Sequence, residues 1–210
     1  MAEPDLNLGQ LYRWADQLPA ALWEDLRARE PQEATAATGA QYDAGVYRLT
    51  LLARQYLIDP DRAAIVEAGR PEHRVSYDSG VVLVTTLAKS QGVPPSGELA
   101  TPSELPGGRL FYTGPHELPV KPLLKRFGRS LADLIARGQA LGGRQVEAGA
   151  DLAMLIPGLP QVPLWVLLWA GDEEFQPRAV IGIDQRAHYH LAVDAILAIC
   201  NVLVRRLTKD

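Results

Sequence analysis

Two apolar runs joined by three consecutive carboxylates, in the stretch Pro157 to Asp184 (PGLPQVPLWVLLWAGDEEFQPRAVIGID), constrain this chain more than any other feature. Runs this poor in charge must lie inside a sheet, and the polar break between them marks a reversal of the chain. The stretch therefore reads as a buried hairpin whose acidic tip is Asp172, Glu173 and Glu174. Leu164 to Trp169 is apolar on both faces, which predicts a central strand. Residues 178–184 instead alternate Arg178, Val180, Gly182 and Asp184 with Ala179, Ile181 and Ile183, so one face of that strand is expected at solvent or a cleft.

Of 210 residues, 47% are hydrophobic and 22% charged, enough to bury one sizeable core in a single domain. A net charge of -4 offers no electrostatic footprint for a polyanion, so nucleic acid is not expected as a partner. Lys121, Lys125, Arg126 and Arg129 do cluster, but Pro122, Leu123, Leu124 and Phe127 lie among them, as on an amphipathic helix with a solvated basic face. The single cysteine, Cys200, leaves no internal disulfide, no cysteine-ligated cluster and no structural zinc site held by this chain alone. It falls on an apolar helical stripe, where a small buried hydrophobe is expected rather than a nucleophile. The N-terminus has no signal-peptide pattern and no run reaches the length of a membrane span, so a cytoplasmic protein without a membrane partner is expected.

Leu8, Leu11, Trp14, Leu18, Leu22 and Leu26 recur at helical spacing and predict two short helices broken near Leu18, with Pro19 in the first turn of the second. Residues 31–41 are small and polar and read as a linker, so residues 1–40 form a helical arm and residues 41–210 an α+β domain. Val46 to Ile58 is strand-like, and Asp59, Pro60 and Asp61 supply a turn before AAIVEA. Ser76 and Asp78 suit the start of a helix through VVLVTTLAKSQ, although its β-branched content also fits a buried strand. Residues 92–122 hold seven prolines and five glycines, which forbids regular structure over most of the segment. An ordered loop of that length tends to be a binding element or a cover. Helices over 120–127 and 130–141, strands over 151–156, 162–169 and 178–184, and a closing helix marked by Val193, Ile196, Leu197, Cys200, Leu203 and Leu207 complete the expectation. The fold class is α+β, a mostly antiparallel sheet covered by helices.

The hairpin stretch, preceded by LGGRQVEAGADLAMLIP and followed by YHLAVDAI, resembles the closing half of the bacterial and archaeal family called domain of unknown function 3786. YRLTLLARQYLI, GVPPSGELATPSELPGGRLF and LLKRFG agree with it, and the resemblance covers about residues 40–207. Its sharpest marker is the turn Trp169-Ala170-Gly171-Asp172-Glu173-Glu174-Phe175. The resemblance implies no activity and no catalytic residues. Some relatives look like fusions to an N-terminal iron-sulfur module, which implies an accessory role near redox or one-carbon enzymes. Residues 1–40 here contain no cysteine, so no iron-sulfur cluster is expected in this chain.

Two candidate sites follow from the residue types. Asp172, Glu173 and Glu174 between Trp169 and Phe175 suit a ligand or partner site, since carboxylates in a cleft raise one another's pKa and aromatics can wall a pocket; three acids at a hairpin turn are nevertheless usually just solvated, and core packing accounts for the aromatics equally well. Asp184, His188 and His190 have spacing compatible with a metal, His-x-His placing two rings on one side of an extended segment. His73 and His116 fall in expected surface loops. Nucleophile-elbow, Walker, dinucleotide and H-E-x-x-H patterns are missing, and each Gly-Gly-Arg is ordinary turn chemistry. The leading expectation is an accessory domain that binds a protein partner or small ligand. The alternative is a metal-dependent enzyme or cofactor-binding protein with acids and histidines in one cleft.

Overall fold

The computed structural model describes residues 12–209. A short 3-10 turn at Ala15–Gln17 closes at Leu18, and helix α1 (Ala20–Arg27) starts after Pro19, which places the expected break correctly. Leu8 and Leu11 of the same pattern lie outside the described residues. Helix α2 (Pro31–Thr38) corrects the expected linker. Pro31 presets the first turn, Glu33 sits at the positive end of the helix, and Gly39 at φ 71° ends it. Because its contacts are made by small residues such as Ala34 and Thr38, no apolar stripe announced it. The arm is not detached, since Leu18, Trp23, Leu26 and Ala34 belong to the same core as the strands and helices that follow.

Strands β1 (Gln41–Asp43), β2 (Val46–Leu51), β3 (Arg54–Asp59) and β4 (Ala64–Glu67) form an antiparallel sheet in that order. Alternation along β2 buries Tyr47, Leu49 and Leu51 on one face. The stretch Val46 to Ile58 is thus two strands, and it reverses at Leu52 and Ala53 before the chain ever reaches the Asp59 turn. Both turn residues are left-handed, at φ 48° and 62°, the geometry of a two-residue hairpin loop that ordinarily carries Asn-Gly. Helix α3 (Tyr77–Lys89) resolves the helix-or-strand ambiguity in favour of helix: the Ser76 hydroxyl accepts from the Ser79 amide at 3.3 Å. Residues from Ser79 to Leu87 are buried, and α3 packs against α1 and α2, so tertiary contact overrides its β-branched content.

Before Val120, the proline-rich segment contains only β5 (Leu99–Ala100), helix α4 (Gly108–Phe111) and short 3-10 turns. Helices α5 (Val120–Phe127) and α6 (Leu131–Ala140) follow, α6 ending at Gly142 with φ 77°. Strands β6 (Arg144–Val146), β7 (Leu152–Leu159), β8 (Val162–Trp169) and β9 (Arg178–Asp184) join β5 in a second antiparallel sheet, ordered β5-β9-β8-β7-β6. β8 is the central strand. Its Leu164, Val166 and Leu168 face the main core with Met154, Ile156, Ile181 and Ile183, while Trp165 and Leu167 form a smaller cluster with Ala153 on the opposite face. Helix α7 (Val193–Thr208) buries Ile196, Ile199, Cys200, Leu203 and Leu207 and lies against α3 and α5. Burial pushes the Cys200 thiol up to about 12, so it is a core residue and not a nucleophile.

The fold is α+β with two antiparallel sheets in place of the one expected, and the sheets meet where the Leu52 amide donates to the Gly158 carbonyl at 2.8 Å. Among the described residues no helix is long and apolar enough to cross a membrane. Alanine in the left-handed region costs about 1 kcal/mol relative to glycine. Ala53→Gly is therefore expected to raise the unfolding free energy in urea by about 0.5–1 kcal/mol, and an unchanged or lower value would show that the turn carries no strain.

Candidate functional site

The acidic turn is built by its own backbone. Asp172 Oδ1 accepts from the amides of Glu174 at 2.8 Å and Phe175 at 2.7 Å, and the Asp172 amide donates to the Phe175 carbonyl. These amides hold the Asp172 carboxyl below its usual range, so its charge closes the turn. Glu173, Glu174 and Phe175 are exposed, Phe175 at 68%. Trp169 lies half-buried under the Arg178 guanidinium, 4.7 Å from the ring centre.

Asp184 and His190 are both buried and both hold the proline-rich segment. The Asp184 carboxylate accepts from the Ser96 amide and hydroxyl, the Gly97 amide at 2.7 Å and the Arg186 amide at 2.9 Å. His190 Nε2 donates to the Val93 carbonyl at 2.9 Å, since a carbonyl only accepts. In the neutral ring Nδ1 therefore accepts from the Ser90 hydroxyl at 2.8 Å. His188 is half-buried, with Nδ1 bonded to the Gln185 carbonyl. The three residues thus serve as a backbone clamp, and among the described residues no three His, Cys, Asp or Glu side chains gather in a geometry that could hold a metal. Asp184 and the acidic turn occupy opposite ends of β9. Six steps of about 3.3 Å put them about 20 Å apart, so they share no cleft.

Burial holds His190 below its ordinary value of 6.5, against the smaller opposing pull of the Val93 carbonyl and Asp184. Between the lowered folded pKa and the unfolded value, the unfolded chain binds more protons, so stability rises with pH there. The contribution of this residue is complete above pH 6.5 and is lost as pH falls through the folded pKa. Urea unfolding from pH 7.5 to 4.5 is expected to show this slope, at most about 1.4 kcal/mol per pH unit, flattened in His190→Gln. An identical slope in the variant would assign it to other groups.

A third site joins residues far apart in sequence. The left-handed turn at Leu52 and Ala53 points the carbonyls of Leu51 and Leu52 at the end of α7, where Arg206 Nη1 donates to both and Nη2 donates to the Tyr56 hydroxyl at 2.6 Å. Burial lowers the Arg206 pKa, but a guanidinium starts high enough to stay charged. The neighbouring Arg205 bonds Asp78 and Ser76 at the start of α3. Around this junction opens a cavity of about 520 Å³. Its wall carries Arg54, Arg74, Arg137, Arg205, Arg206 and Lys209, with Glu67 as the one carboxylate among the described residues. Arg54 pairs with Glu67 at 3.1 Å, and Arg74 with Asp16 at 2.6 Å. Glu67, Asp16 and Asp78 thus offset Arg54, Arg74 and Arg205, while Arg206 and Lys209 add further positive charge to the wall.

No local pattern signals this cavity. Arg205 and Arg206 suit the helix dipole, and the other cations are scattered over a strand, a helix, the loop before α3 and the C-terminal end. The one available signal is the pair of arginines at the end of a helix whose buried face is apolar.

Fold and geometry define an α+β domain with an arginine-lined cavity at the junction of its first sheet and last helix. The chain belongs to the family described as Domain of unknown function (DUF3786), whose sequence model matches residues 30–206. The match takes in both sheets and the Arg206 junction, while α1 precedes it. No curated protein and no solved structure matches the chain.

Proposed function

We propose that the domain binds a small oxyanion, a carboxylate or phosphate, in the arginine-lined cavity, as a ligand-binding module with an accessory role. The observation that carries this reading is the meeting, among the described residues, of six cationic side chains and one carboxylate around a space of about 520 Å³. That volume suits a small molecule. Guanidinium groups present paired donors that match carboxylate and phosphate oxygens, and partial enclosure weakens solvent screening. The strained turn supports the same reading, because backbone strain that a structure actively holds in place tends to collect at functional sites.

Calorimetric titration with inorganic phosphate and citrate tests it, comparing the wild type with Arg54→Gln combined with Lys209→Gln. A hydrogen bond to a charged group contributes about 1.5–3 kcal/mol, so the variant is expected to bind tenfold or more weakly, and added salt to weaken the wild type. Equal affinities in the two proteins, or no heat from either anion, overturn the assignment.

A second reading, contact with a protein partner through the acidic turn, is favoured by one observation: Phe175 is 68% exposed beside two solvent-facing glutamates. Glu173→Ala with Glu174→Ala should leave the melting temperature unchanged and weaken capture of a partner from lysate. An unchanged capture profile removes this reading.

A further inference from the structure

A second cavity, of about 430 Å³, adjoins the arginine-lined one. Ala53 and Leu141 line both, so the strained turn and the end of α6 form the boundary between them. The two are chemically opposite. The second is walled chiefly by Pro95, Pro157, Pro160 and Pro163, and among the described residues Thr50 bears the only polar side chain in its lining.

The wall at Pro95 is held in place. Arg186 Nη1 donates to the Pro94 carbonyl at 3.3 Å, His190 holds Val93 on one side, and Asp184 holds Ser96 and Gly97 on the other. The floor is fixed as well, because the Gly158 carbonyl accepts from the Leu52 amide and Ala53 follows directly. A rigid apolar space beside a cluster of cationic side chains is complementary to one kind of molecule: an oxyanion head joined to an apolar body.

We propose that the ligand is an amphiphilic anion, an alkyl or aryl carboxylate or phosphate, with its head among the arginines and its apolar body between the prolines. The proposal rests on the oxyanion reading of the first cavity and adds the second as the determinant of specificity. Inorganic anions fill only half of the site. The proline-rich segment then acts as one wall of a binding site, the role expected for an ordered loop of its length.

Calorimetric titration of the full chain with methyl phosphate, octyl phosphate, octanoate and octyltrimethylammonium tests this. Octyl phosphate is expected to bind at least about tenfold more tightly than methyl phosphate, which corresponds to burying fewer than two methylene groups. Octanoate is expected to bind and the cation is not. Leu141→Glu, which places a carboxylate at the shared boundary, is expected to abolish the advantage of the octyl chain; Leu141→Ala controls for folding and retains most of it. Equal affinities for methyl and octyl phosphate overturn the proposal and leave the oxyanion reading standing. Failure of every anion overturns both. Equal binding of the octyl anion and octyl cation, or binding only to anionic lipid vesicles and not to the soluble octyl probes, also overturns the amphiphilic assignment.

Discussion

The guanidinium of Arg206 ties the last helix to the first sheet, and the arginine-lined cavity depends on that junction. It donates to two successive carbonyls and a phenol hydroxyl, all belonging to one hairpin. A buried cation is costly unless its donors are matched, and here the planar fork meets acceptors that a strained turn has aimed at it. A lysine would supply the charge without the geometry. The strain at Leu52 and Ala53 and the burial of Arg206 therefore offset one another, and neither is intelligible alone. From this junction follow the placement of Arg54 and Tyr56 beside α7 and the ridge at Ala53 that separates the charged space from the apolar one.

The same logic orders the proline-rich segment. Prolines remove donors and block ladders, so residues 93–98 cannot be held by a sheet, yet their remaining backbone groups still need partners. Asp184 supplies acceptors for two amides, His190 a donor for one carbonyl and Arg186 a donor for another. An acid and a histidine at near-metal spacing thus satisfy backbone. The two uses need the same chemistry, a carboxylate and an imidazole with fixed direction, which is why spacing alone did not separate them.

Periodicity carried the fold where apolar residues do the packing. β8 was legible as the central strand because it is apolar on both faces, and Ser76 marked the start of α3 through a local hydrogen bond. Legibility failed where small residues or unusual turn residues carry the structure. α2 packs through alanine and threonine and so showed no stripe. The turn at Leu52 and Ala53 lacks the glycine or asparagine that usually announces a hairpin, so two strands read as one arm. The acidic turn was legible as a turn, with Asp172 committed to closing it. The arginine cavity was not legible, because its cations lie between positions 54 and 209 and converge only through topology.

The distribution of charge then separates one class of anion from another. The chain carries a net charge of -4, while the cavity wall gathers six cationic side chains. The rest of the surface is accordingly more acidic than the total suggests. An extended polyanion would have to meet that exterior over most of its length. A compact anion enters the concavity, where the positive groups are closest, the enclosure concentrates their field and the exterior charge is screened within about 10 Å. On the proposed oxyanion reading, the size of the ligand, as much as its charge, is therefore set by the cavity.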